Sequence, residues 1–301
     1  MRAEILLATH NGEAFLRPQL ESILAQSDSR WHLTLSDDGS TDGTCAVLDE
    51  YAARYPEKIT HLRSGKRFGS ARDHFLYLMR RCDADRMLFC DQDDVWHADK
   101  LALTMDALDQ AGDGPALVFT DLRPVDARMR EIAPSMAAYQ HRPVHCLDWR
   151  SLLLQNTANG CTMGFNRALA DLAGQCREDA ALPMHDSWLA ATAARFGKLI
   201  YLDVPTVDYR QHGSNSVGAS DVRSANYVIR RLSALGQLRR MILGKKAQAR
   251  VFHSTYASML NEEDLAFLTG FEKRFSGPLF YWRYRRLIHS LYHRMGLMVL
   301  G

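Results

Sequence analysis

The stretch RMLFCDQDDVW, Arg86 to Trp96, decides how this chain folds. It begins as a short apolar run of strand type and stops abruptly in three carboxylates, Asp91, Asp93 and Asp94, before a tryptophan. Like charges this close repel and resist burial, so the cluster needs open solvent or a positive partner, of which a divalent cation is one. Polar residues placed where a buried strand ends are the signature of an open α/β sheet, whose ligands bind outside the carboxyl ends of its strands.

The same pattern recurs on both sides of that stretch. Strand-like runs fall at Glu4–Thr9, His32–Asp37, Lys58–Leu62, Arg86–Asp91 and Ala116–Asp121, with amphipathic helical segments near Phe15–Ala25, Thr41–Tyr55, Ser70–Cys82 and Ala98–Gln110 between them. The β-α-β-α order predicts an α/β fold, Rossmann-like, with a mostly parallel sheet and helices on both faces. The polar segments THNGE, SDDGSTDGT and DQDD each follow a strand, so three separated motifs are expected to converge at one edge. Further on, Asn156–Leu169 reads as a polar, glycine-containing loop entering a helix, and Leu182–Gly197 as a helix. LIYLDVPTVDYRQHGSN reads as a strand, a proline break and a polar loop. Residues 1–222 are expected to form one domain, with a binding half (1–121) and a catalytic half (122–222). Residues 223–301 are expected to form a basic, helical C-terminal region. There Val228, Leu232, Leu235, Leu238 and Ile242 make one apolar stripe and Phe280, Tyr284, Leu287, Leu291, Met295 and Met298 another.

Composition bounds the answer. With 301 residues, 47% hydrophobic and 24% charged, the chain suffices for one large or two modest domains. No apolar run is long enough to span a bilayer and the first residues do not read as a signal peptide, so a cytoplasmic location is expected. The cysteines, Cys45, Cys82, Cys90, Cys146, Cys161 and Cys176, form no C-x-x-C pair, which argues against a thiolate metal site and a disulfide framework. A net charge of +2 conceals −8 over residues 1–222 and +10 from Arg223 onward. Such a tail is expected to meet something anionic.

In SDDGSTDGT, Asp38 reads either as part of a plain turn or as an acceptor for the imide N–H of a uracil or thymine ring. In ATHNGE, Thr9, His10, Asn11 and Glu13 pose the same choice between a loop and a nucleotide contact, with the His10 ring able to stack on a base. Asp91-Gln92-Asp93 is more specific. Two carboxylates two apart on an extended segment let one reach a ribose hydroxyl while the other binds a hard cation such as Mg2+ or Mn2+ on a diphosphate.

Taken in order, ATHNGEAFL, SDDGSTDGT, DQDDVW, NTANGCTMGFNR, HDSW and YRQHGSN resemble the inverting family 2 glycosyltransferases of GT-A fold, in the branch of bacterial rhamnosyltransferase-like enzymes. The resemblance spans about residues 3 to 220. It implies that His10 and Asp38 hold the base, with Thr9, Asn11, Glu13 and Gln92 around the nucleotide. It further implies that Asp91 meets the ribose, Asp93 binds the metal with His212 completing its shell, and Asp186 is the catalytic base. Asn159, Gly160, His185 and Trp188 fall on the acceptor side. His185 stands where many relatives carry an acidic residue, and Ser187 where an aromatic is frequent, which leaves the reaction type alone and puts the acceptor contacts in doubt.

The expected function is therefore a metal-dependent inverting transfer of a sugar, rhamnose from dTDP-rhamnose in the nearest branch, from a dTDP- or UDP-linked donor to a glycan or polyprenyl-linked saccharide. Surface-polysaccharide synthesis is its setting. A non-catalytic nucleotide-sugar- or glycan-binding module of the same fold is the alternative, disfavoured because Asp38, Asp91, Asp93 and Asp186 are all present. A nucleic-acid partner is not expected, because the tail carries no recognised motif. The tail's stripes suit a core or homodimer contact as well as an anionic membrane surface at the inner face.

Overall fold

The computed structural model describes residues 1–212, 235–273, 277–289 and 294. Chain order is β1 (Ala3–Thr9), α1 (Glu13–Leu24), β2 (Trp31–Asp37), α2 (Thr44–Arg54), β3 (Ile59–His61), α3 (Ala71–Arg81), β4 (Arg86–Cys90), β5 (Val95–Trp96), α4 (Lys100–Ala111) and β6 (Ala116–Val125). Then follow α5 (Met136–Tyr139), α6 (Trp149–Leu154), β7 (Gly164–Asn166), α7 (Arg167–Ala173), α8 (His185–Phe196), β8 (Lys198–Arg210), α9 (Leu235–Tyr256), α10 (Glu262–Glu272) and α11 (Gly277–Tyr284). One mixed sheet runs β3-β2-β1-β4-β7-β6-β8-β5. Its first four strands are parallel, as the alternation predicts, while β7 inserts antiparallel between β4 and β6.

Strand periodicity explains the two layers. Ile5, Leu7, Leu88 and Cys90 point into a core shared with α1, α2 and α4. Their alternates Leu6, Met87 and Phe89 point into a larger core under α3, α6, α7 and α8. In register, Thr9 lies opposite Asp37 and Leu7 opposite Cys90, so the polar residues that follow β1, β2 and β4 emerge at one edge.

Two local expectations need correction. The segment Gly164–Asn166 is a strand rather than part of a loop. Gly164 is admitted because a Cβ there would sit 2.3 Å from the Thr104 side chain, and three residues are too few to show a period. Nor does Pro205 break the chain: β8 continues from Lys198 to Arg210, with shifts in its register against β6 around Thr120 and Asp121 absorbing the irregularity.

Of the C-terminal stripes, Leu238 is buried, and Ile242 and Phe280 are buried in the larger core together with Val251, Phe252, Tyr256, Phe267 and Phe271. Helix α11 ends at Tyr284 and is followed by a 3-10 turn over Arg285–Leu287, so the second stripe does not run on as one α-helix. Val228, Leu232, Leu291, Met295 and Met298 lie outside the described residues. No described helix is long and apolar enough to cross a membrane.

Candidate active site

A cleft of about 770 Å3 opens at the sheet edge where β1, β2 and β4 end. At one end the loops after β1 and β2 brace each other. Thr9 Oγ1 donates to Asp37 Oδ1 at 2.9 Å, the Asn11 backbone N–H to Ser40 Oγ at 2.8 Å, and the Gly43 N–H to Glu13 Oε2 at 2.8 Å. Gln92 bridges to the same loop: its Oε1 accepts from the His10 N–H at 2.8 Å and its Nε2 donates to the His10 carbonyl at 3.0 Å. These side chains hold His10 and Asp38 in place, and Glu13 does so from outside the cleft, away from the nucleotide position the motif implied. Asp38 is 8% exposed and accepts hydrogen bonds from the backbone N–H groups of Phe68 and Gly69, which draws the loop before α3 over this end. Gly69 adopts φ +70°, where a side chain would be strained. A carboxylate retains lone pairs for one more donor, so Asp38 can still receive a base N–H.

On the floor, Asp93 and His212 meet although 119 residues apart, with His212 Nε2 2.8 Å from Asp93 Oδ2. The His212 ring stacks on Phe15 with centroids 4.5 Å apart. An imidazole nitrogen and a carboxylate oxygen at this spacing match the roughly 3 Å between neighbouring ligand atoms of a six-coordinate cation bound at about 2.1 Å. The pair therefore fits a hard divalent ion. A second group, Asp91, Asp94 and Cys161, brings potential ligand atoms within 4.8 Å of one another. It suits such an ion poorly, because burial pushes the Cys161 thiol well above its ordinary value and keeps it protonated. Asp94 points inward, fully buried, toward the Arg210 N–H at 3.3 Å. Asp91 faces the cleft, and burial, with Asp93 and Asp186 adding repulsion, pushes its carboxyl up to about 7.

Asp186 sits in the first turn of α8 on the opposite wall. Burial pushes its carboxyl up to about 6. The Ser187 N–H, which reaches Oδ1 at 2.5 Å, opposes that shift, as do the Arg142 charge, the Gly160 N–H and the Lys245 charge. Such a group is ionised at neutral pH yet basic enough to take a proton. Gly160 lets the wall approach this closely: a Cβ there would stand 2.8 Å from His185 Nε2 and 3.6 Å from Asp186 Cβ. Its neighbour Asn159 uses Oδ1 to accept from Arg142 Nη1 at 2.9 Å. His185 touches the cleft but is 4% exposed between Phe75 and Phe89, and burial pushes its imidazole down to about 3. It is a neutral wall residue at physiological pH.

Trp188 does not reach the acceptor side. Two residues on from Asp186 and on another face of the helix, it is fully buried, stacks on Tyr256 and donates from Nε1 to the Ala173 carbonyl at 3.0 Å. The motif could not separate it from Asp186, because successive helical residues point in different directions. Two cations escaped the sequence reading. Arg142 lines the cleft beside Asp186, and Lys245 of α9 contributes its charge there. Neither belongs to a motif; what places them is tertiary packing.

The fold and this edge site define a glycosyltransferase of GT-A type, and the chain belongs to glycosyl transferase family 2, whose pattern matches residues 4–171. Among curated relatives it is similar to dTDP-rhamnosyl transferase RfbG of Shigella flexneri, 29% identical over 233 residues, covering 73% of this chain and 76% of that protein. Among solved structures it shares its fold with Staphylococcus aureus TarS 1-349 in complex with UDP-GlcNAc, at TM-score 0.55 and 14% identity over 99% of this chain and 88% of that one. It also shares its fold with the mannosyltransferase PcManGT of Pyrobaculum calidifontis in complex with GDP-Man and Mn2+, at TM-score 0.55 and 16% identity over 99% and 83% of the two chains.

Proposed function

We propose that this protein is a metal-dependent, inverting glycosyltransferase that moves a sugar, rhamnose by its similarity to RfbG, from a dTDP- or UDP-linked donor to a hydroxyl of a glycan or polyprenyl-linked saccharide. One observation carries the reading: the Asp93–His212 pair and Asp186, contributed by three distant parts of the chain, face one cleft beside Asp38. His10 and Asp38 receive the base, Asp91 the ribose, and Asn159 and Gly160 border the acceptor. Asp93 and His212 hold a divalent cation, Mg2+ or Mn2+, which when bound neutralises charge on the departing diphosphate. Asp186 takes the proton of the acceptor hydroxyl as that oxygen forms its bond to the anomeric carbon. The bond from that carbon to the diphosphate oxygen breaks on the opposite face, its electron pair leaving with the nucleotide diphosphate. One displacement inverts the anomeric centre and needs no covalent enzyme intermediate. The acceptor places the reaction at the cytoplasmic face of the membrane.

Screening nucleotide sugars against lipid-linked and soluble glycan acceptors, with nucleotide diphosphate release as the readout, tests this reading. Asp186→Asn is expected to lower turnover by about 10²- to 10⁴-fold while retaining nucleotide affinity. Asp93→Asn is expected to abolish the cation dependence of donor binding. Wild-type turnover in Asp186→Asn would remove the base assignment.

A further inference from the structure

The family pattern ends at residue 171, yet α9, more than sixty residues later, packs against the turn that carries Asp186. Its contacts follow one another along the helix. Gly244 faces Pro183 at ordinary contact distance, a Cβ there lying 3.7 Å from the proline Cγ. Lys245, next in line, adds a charge that Asp186 feels. One turn on, the Gln248 amide faces Ser187 Oγ, with Nε2 at 2.9 Å and Oε1 at 3.0 Å.

The Ser187–Gln248 contact is a buried polar pair, 8% and 0% exposed. Such a pair is worth keeping only where every partner is satisfied, and it then fixes one register between the elements that share it. Helix α8 starts without a side-chain cap, Met184 being its N-cap residue, so the turn bearing Asp186 depends on outside contacts for its placement. Those contacts are the Gly160 loop on one side and α9 on the other.

We propose that α9 is a working part of the active site, in which Gln248 is a positioning residue for Asp186. Gln248 fixes the turn that carries Asp186 through its contact with Ser187. This rests on the reading of Asp186 as the base. The charged and titratable groups around Asp186 are Lys245 from α9, Arg142 from the segment between α5 and α6, Asp91 from the end of β4 and His185 beside it on α8. Burial pulls Lys245 down to about 8, with Asp186 opposing, so the lysine still carries its charge at pH 7.

Steady-state kinetics on the full chain, with Gln248→Leu, Ser187→Ala and Asp186→Asn, test the proposal. Gln248→Leu is expected to lower kcat about tenfold with little change in the donor KM, because one misaligned step costs turnover rather than donor affinity. Ser187→Ala, which removes the same contact from its other side, is expected to do likewise, and it decides should Gln248→Leu fail to fold. Wild-type kcat in both variants, alongside an inactive Asp186→Asn, would overturn this inference and leave the base standing. An active Asp186→Asn would instead remove the base itself.

Discussion

At the scale of single residues, this site trades stability for chemistry, and Asp186 shows the sign. Its carboxyl is raised to about 6 from an ordinary 3.8, chiefly by burial, so the folded chain holds this proton more tightly than the unfolded chain does. The ionised form therefore costs stability, a cost that grows as pH rises from about 4 to 6 and is complete above that window. Asp186→Asn is expected to melt a few degrees higher than wild type at pH 7.5, with the two converging near pH 4, as thermal unfolding across pH would show. A melting difference that does not depend on pH would mean that the carboxyl is not perturbed in this way. A functional carboxylate is commonly a destabilising one, and an inactive but more stable variant is the result such sites produce.

At the scale of elements, the C-terminal helices are tied to α6 and α8 by charge as well as by apolar packing. Asp264, 2% exposed near the start of α10, accepts from Arg150 Nη2 of α6 at 2.5 Å and from Arg195 Nε of α8 at 2.6 Å. Asp264→Ala would leave both guanidinium groups without this partner, at a cost of about 3 kcal/mol, the low end of the range for a broken buried pair because both arginines still reach water. Equilibrium denaturation should record a lower midpoint. An unchanged midpoint would show that solvent screens the junction as it does a surface pair. Since α8 carries Asp186, loosening this joint is also expected to disturb the site that α9 braces.

The whole molecule carries its charge unevenly, with +10 from Arg223 onward against −8 before it. The buried part of the described apolar stripes is spent on the interior, which leaves the exposed arginines among the described residues, Arg239, Arg240, Arg250, Arg283, Arg285 and Arg286, and a tryptophan, Trp282, 62% exposed, to meet a partner. Arginine beside exposed indole suits the headgroup layer of an anionic bilayer. The protein is expected to float with vesicles containing anionic lipid at low salt and to be released as salt is raised. Reversing three of the exposed arginines should weaken flotation. Protein that stays in the soluble fraction at low salt would remove the membrane role and favour contact with a second copy.

The order of strands and helices through residue 121, apart from the two-residue β5, and the polar residues at the strand ends, were legible in the sequence by itself. Strand alternation and helical spacing are local properties, and the parallel register brings such ends to one edge whatever the details. The motif series named Asp93, His212 and Asp186 together, and the fold brings the three to one cleft. What only the tertiary structure decided were matters of distant packing. These include the antiparallel β7 too short to show a period, the inward turn of Trp188, the hydrogen bonds that tie Glu13 and Gln92 to neighbouring loops, and the arrival of Arg142 in the cleft of Asp186. None of these leaves a local mark, because a side chain's direction and its neighbours' charges are set by contacts between residues many positions apart.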